Sequence, residues 1–180
     1  VVAANQYATE ASGPRLVKSD KARLPYLDFG DTCGAAGVAP WLKWTSECAN
    51  IKEVVMVVGL PDKNAFYLGY QGNTYFDFHR GTSNGALLSS DFAKYKSGVP
   101  ATIDAEEQDA YTYAYPAGIH VMTLTLTNAE WSCRANNFGN DRNGSRVGGL
   151  QLCEAYVFTE CLTDGQRGEL VGRLMKKWKD

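Results

Sequence analysis

Three tyrosines, Tyr111, Tyr113 and Tyr115, alternate with the small residues Thr112 and Ala114. On an extended strand that period of two puts all three rings on one face. A flat row of rings is what stacks on sugar rings, provided hydrogen-bonding side chains lie close by for the hydroxyls. Further rings stand at Trp41 and Trp44 after Pro40, and Tyr75 lies beyond the Gln71–Asn73 turn. Asp77, His79 and Arg142 are the polar partners expected beside them. Asp77 and His79 share strand parity, which predicts a polar cluster with Asp141, Arg142 or Glu154, or a ligand contact.

Nucleophilic chemistry has little to build on. The chain has two histidines, His79 and His120, and neither adjoins a nucleophile motif. His120 shares parity with Met122 and Leu124, so it is expected to cap the core at a strand start. The five cysteines, Cys33, Cys48, Cys133, Cys153 and Cys161, include no CxxC pair, which argues against a zinc ribbon or a redox centre. The odd count leaves at least one thiol unpaired, and Cys33 and Cys48, which fall in one loop-rich stretch, either form a local disulfide or remain thiols. Glu154 shares parity with Leu152, Tyr156 and Phe158, so it needs a partner, and Arg80 or Arg142 is expected to supply it.

The elements that must position these groups are strands. Ile51 to Val58 is a β-branched run stopped by Gly59 and Pro61. Ala65 to Tyr70 and Thr74 to Arg80 form a hairpin pattern. In Ile119 to Thr127, Met122, Leu124 and Leu126 face the core and the threonines face outward. Trp131 to Phe138 and Leu150 to Phe158 are further strands. One helix follows. Thr163 and Gln166 make a capping box, and Leu170, Val171, Leu174, Met175 and Trp178 form an apolar stripe. Gly165, Gly168 and Gly172 weaken that helix, so packing must hold it. The pattern predicts an all-β, two-sheet antiparallel sandwich of the jelly-roll kind with one C-terminal amphipathic helix, in one domain over residues 1–180. A net charge of -2 without a basic cluster argues against nucleic acid. The apolar run at 54–58 is too short to cross a membrane. The N-terminus lacks the charged and apolar regions of a signal peptide, and the expectation is a domain cut from a larger protein.

The segment from Val147 to Phe158, followed by Leu162-Thr163-Asp164 and a helix ending Lys176-Lys177-Trp178, resembles the C-terminal part of concanavalin A-like, laminin G-like domains of bacterial proteins. Leu24 to Gly30 resembles their early strand, and the resemblance extends over about residues 20–178. It implies secretion or display at the cell surface, and frequent linkage to carbohydrate-active enzymes or adhesins. It also implies a possible structural calcium ion, for which Asp28, Asp31 and Asp141 are the candidate ligands. No other cofactor is implied. Glucanases of this fold carry a Glu-x-Asp-x-Glu strand; here the nearest match, Thr102 to Glu106, has Thr102 in place of the first carboxylate. The expectation is therefore a non-catalytic carbohydrate-binding module that recognises a polysaccharide or glycan. The alternative is a structural or protein-interaction domain without glycan affinity.

Overall fold

The structure is a computed structural model. It describes residues 4–6, 14–18, 22–34, 39–72, 78–81, 84–89, 99–127 and 133–179. The described strands are β1 (Ala4–Gln6), β2 (Arg15–Val17), β3 (Tyr26–Asp28), β4 (Cys33–Gly34), β5 (Leu42–Ile51), β6 (Glu53–Gly59), β7 (Phe66–Leu68), β8 (Phe78–His79), β9 (Pro100–Ile103), β10 (Glu106–Asp109), β11 (Ile119–Thr125), β12 (Cys133–Phe138), β13 (Val147–Gly148) and β14 (Gln151–Phe158). One helix, α1 (Asp164–Trp178), closes the chain.

The largest sheet is antiparallel and has seven strands in the order β10-β9-β11-β6-β14-β3-β2. A second sheet has the order β1-β5-β12, and the short pairs β13-β4 and β7-β8 complete the strands. Lys52 carries the chain from β5 in one sheet to β6 in the other. A single core then joins Trp44, Ile51, Cys133 and Ala135 of the smaller sheet to Val54, Met56, Val58, Met122 and Leu124 of the larger.

The opposite face of the large sheet is covered by α1. Leu170, Val171, Leu174 and Trp178 pack on Tyr26, Val55, Val57, Ile119 and Val121. Both faces of β6 are thus covered, and all seven of its residues are buried. That explains why β6 reads as an unbroken apolar run rather than an alternating one. The expected outward face of β11 is also less open than expected. Thr123 is buried, and its hydroxyl lies 2.9 Å from that of Thr102.

Each end of α1 is fastened by charge. The capping box forms as the sequence predicts, with Gln166 N–H donating to Thr163 Oγ1 and Thr163 N–H to Gln166 Oε1. Near the same end, Arg167 Nε donates to the fully buried Glu53 carboxylate at 2.5 Å. Leu162 N–H also donates to Glu53, at 2.7 Å. At the other end Glu154 accepts from Lys177 Nζ at 2.6 Å and from Trp178 Nε1 at 2.8 Å, and Lys179 pairs with Asp104.

These contacts correct one expectation. The carboxylate that burial forces into an arginine pair is Glu53, and its partner is Arg167; Glu154 pairs with Lys177, not with Arg80 or Arg142. The cause is a β-bulge. Leu152 lies opposite Val58 but Glu154 lies opposite Val57, so Cys153 is an extra residue that inverts the parity of everything after it. Glu154, Tyr156 and Phe158 therefore face α1, while Leu152, Ala155 and Val157 face the core. Between the two alternatives for Cys33 and Cys48 the structure shows thiols: neither is in a disulfide. Cys33 lies in β4, with its thiol 3.5 Å from Gly148 O, whereas Cys48 lies within the ten-residue β5.

Candidate functional site

The tyrosine row does not form a stacking surface. Residues 110–112 form a turn, Tyr113 a bend, and only Ala114 pairs, in an isolated bridge with Ala86. Asp109 builds the turn, its Oδ1 accepting from Tyr111 N–H at 2.9 Å and from Thr112 N–H at 3.2 Å. Thr112 and Ala114 are the exposed residues, and Tyr111 and Tyr113 pack against the core. Tyr115 is buried, with its hydroxyl donating to Val58 O at 2.5 Å. The rings thus point the opposite way from the expectation, because burying three large rings gains more than burying Thr112 and Ala114 would.

The other nominated residues are also dispersed. Trp41 is half-buried and Trp44 is buried. His79 is buried and stacks on Phe66 with ring centroids 4.7 Å apart. Arg146 covers Phe66 at 4.4 Å and pairs with Asp141 at 3.4 Å. The Phe66 ring and Arg146 thus lie between His79 and Asp141, and Arg142 is half-buried in the loop of Asp141. Tyr75 and Asp77 lie outside the described residues. Asp28, Asp31 and Asp141 do not assemble: no group of three or more His, Cys, Asp or Glu side chains able to hold a metal ion occurs among the described residues. Asp28 accepts from Gly30 N–H and Asp31 from Gln151 Nε2. Asp141 is saturated by Ser145, Asn143 and Arg146, which hold its carboxyl below the usual range against the opposing effect of burial.

The glucanase-like stretch does not lie on one strand. Asp104 and Ala105, at φ 50° and 72°, form the two-residue turn between β9 and β10. Asp104 accepts from His120 Nδ1 at 2.7 Å and from Val121 N–H at 2.9 Å, besides its pair with Lys179. Burial acts to raise its pKa, but these bonds outweigh it and hold the carboxyl below its ordinary value. His120 is half-buried, and its Nε2 faces Ala117 O at 3.0 Å. Both ring nitrogens are therefore engaged in fastening the hairpin and the helix end.

The concave feature lies elsewhere, along β14. Pairing between β14 and β3 covers only Gln151↔Asp28 and Leu152↔Leu27. Three local causes end it there. Cys153 is the bulged residue, and Pro25 has no N–H to donate. Arg23 is drawn toward the C-terminus of α1, with its N–H donating to Trp178 O at 3.4 Å and its Nη1 to Lys176 O at 3.0 Å.

The strands part and leave a groove of about 500 Å³. One wall is residues 152–158 of β14, and the other is Pro25, Tyr26 and Leu27 with Leu16 of β2. Trp44 and Cys48 of β5 and Phe138 of β12 line it from the second sheet. Trp44 meets Phe138 edge-on with centroids 5.0 Å apart. The Trp44 indole N–H is buried and has no hydrogen-bond partner among the described residues. Leu16 is the most exposed large apolar side chain described, at 74%.

The two thiols in the groove are poorly suited to attack. Burial pushes Cys153 up to about 12, with the Glu154 charge adding to it, and burial raises Cys48 with help from Glu47. At neutral pH both remain protonated and act as small apolar side chains. What this arrangement can do is exclude water from an inserted apolar group.

Sequence reasoning placed Trp44 among its candidates but missed the groove. The one signal the sequence carries is Pro25 before a short strand; the extra residue in β14 shows only in the pairing register. No protein-family model, curated protein or solved structure matches the chain.

Proposed function

We propose that this chain is a non-catalytic binding domain whose ligand occupies the groove between β14 and β3. The supporting observation is the groove itself: about 500 Å³, lined mainly by Trp44, Phe138, Leu27, Leu152 and Val157, with an unpartnered indole N–H in its lining. A volume of roughly 300–1,000 Å³ with apolar walls and few polar groups is the usual form of a ligand site. The absence of catalysis is part of the proposal. It is supported by Thr102 standing in place of a carboxylate, by His79 being stacked on Phe66, by both ring nitrogens of His120 being hydrogen-bonded, and by the raised thiols.

A polysaccharide, the ligand expected from sequence, would not find a stacking face at Tyr111, Tyr113 and Tyr115, whose rings pack inward, and among the described residues this groove is the site that offers it rings. The groove offers it rings, but the Glu154 and Tyr156 side chains in its lining are already bonded to each other, and a ligand that brings apolar side groups suits the lining better. Within the same proposal the fold is a two-sheet, concanavalin A-like jelly roll, a reading supported by the core shared between the larger and smaller sheets.

Titration with 1-anilinonaphthalene-8-sulfonate tests the site. The expected result is saturable fluorescence enhancement at one site, lost in Cys48→Trp, which fills the groove. Enhancement that survives Cys48→Trp unchanged, or none in the parent protein, refutes the reading. A glycan array run with both proteins separates the ligand classes: retention lost with Cys48→Trp favours the sugar.

A further inference from the structure

We infer that the groove takes an extended peptide strand, added to the free edge of β14, with alternate apolar side chains set onto Trp44, Cys48 and Phe138. The inference rests on the groove being the binding site and names its occupant.

The lining of the groove carries the argument. Seven consecutive β14 residues, Leu152 to Phe158, border it. Successive side chains of a strand point to opposite faces, so a cavity beside one face would touch every second residue. A cavity that touches all of them lies against the strand's edge. The other edge of β14 is paired with β6 along its length, and among the described residues pairing on the near edge ends at Leu152. Along residues 153–158, about 20 Å of strand, every second peptide unit therefore turns its N–H and C=O toward the groove.

That row of polar groups decides between occupants. A purely apolar molecule, such as an acyl chain, would fill the space and leave the backbone groups buried without partners, which is costly. An extended peptide satisfies them while its own alternate side chains reach the apolar lining. This is strand addition, in which main-chain bonds supply affinity and pockets for alternate side chains supply selectivity. Small and medium apolar residues at alternate positions fit the lining here, because its depth is set by Trp44, Cys48 and Phe138.

The gap is held apart by the protein's own contacts. Pro25 cannot extend the β3 ladder, and Arg23 is committed to Lys176 O and Trp178 O at the helix end. The opening therefore does not close by simple zipping of β3 onto β14.

The probe is an acetylated, amidated hexapeptide of alternating valine and threonine. Two further versions are N-methylated at one or the other alternate set of peptide bonds. Affinity is read by the change in tryptophan fluorescence that is lost in Trp44→Phe, and contact by amide hydrogen exchange. In the free protein, alternate amides within residues 153–158 are expected to exchange quickly, and the peptide is expected to slow them. One N-methylated version is expected to bind about fivefold more weakly for each blocked bond, and the other nearly as well as the parent. The changes are in the peptide, so folding of the protein is not in question.

Equal effects of both methylation patterns, or protection outside β14, overturn the inference. So does slow exchange of all 153–158 amides in the free monomer. A dimer whose formation protects the same amides also overturns it, in favour of self-pairing. If the dye enters the groove and no peptide displaces it, the strand inference falls while the binding site stands. If neither dye nor peptide enters, both fall.

Discussion

Truncating Arg167 to alanine should cost far more than an ordinary surface change. Glu53 has no exposed surface, and its carboxylate accepts from Arg167 Nε at 2.5 Å, Arg167 Nη2 at 3.2 Å and Leu162 N–H at 2.7 Å. Removing the guanidinium leaves a buried negative charge with one backbone donor. Breaking a buried pair from one side costs about 3–5 kcal/mol. For a chain of this length each kcal/mol lowers the melting temperature by about 2–4 °C, so the expected fall is about 6–20 °C. Glu53→Gln removes the charge together with the need for a cation, and should cost less, about 1–3 kcal/mol. The double variant Glu53→Leu with Arg167→Met replaces the pair by apolar groups and should recover most of the loss. Urea unfolding followed by circular dichroism gives all three free energies. A loss below about 1 kcal/mol in Arg167→Ala, or a double variant as unstable as the worse single one, would refute the reasoning.

Gly165, Gly168 and Gly172 meet nothing within 4 Å of an added Cβ, so each Gly→Ala change should stabilise α1 by about 1 kcal/mol; three additive gains in thermal melts check this, and no gain refutes it. Gly69→Ala should be severely destabilising, because its Cβ would lie 1.8 Å from Asn140 O and 2.2 Å from Asn137 Oδ1, and a melting temperature equal to the parent's would contradict the packing. Asp104 and Glu154 both hold the C-terminal end of α1 and both titrate below their ordinary values: burial opposes this, but hydrogen bonds led by Lys179 and Lys177 prevail. A depressed folded pKa means their contribution is complete above about pH 4 and is lost as the pH falls through the folded values. The urea midpoint should therefore decline below about pH 4, and Asp104→Asn should reduce that decline. Native-state alkylation at pH 8 should modify the exposed Cys161 well before Cys153 or Cys48, whose thiols burial keeps protonated, and equal rates would contradict the groove as described.

The helix and the long strands were legible because their signals are local. Thr163 and Gln166 lie three residues apart, and the apolar stripe of α1 needs no knowledge of the sheet. β6 and β11 were legible for the same reason. β5 was not: its burial does not alternate, because its pairing with β12 shifts register twice, so it read as loop. The bulge at Cys153 leaves no mark in composition, yet it turns Glu154 from the core side to the helix side. The tyrosines illustrate a different failure. Alternation fixed which residues share a side but not which side is wet, and the turn built by Asp109 settled that in favour of burying the rings. The groove was the least legible feature, because it arises from where two strands stop pairing.

Arg23 ties the groove to the far end of α1 through Lys176 O and Trp178 O. The final turn of the helix and the width of the gap are therefore not independent variables. Fraying of that turn releases Arg23, and with it one restraint on the segment leading into β3. By reciprocity, an occupant that holds β3 away from β14 favours the docked helix end as strongly as the docked end favours the occupant. With the groove occupied as proposed, the C-terminal residues would act as a thermodynamic gauge of that occupancy, although they do not line the groove.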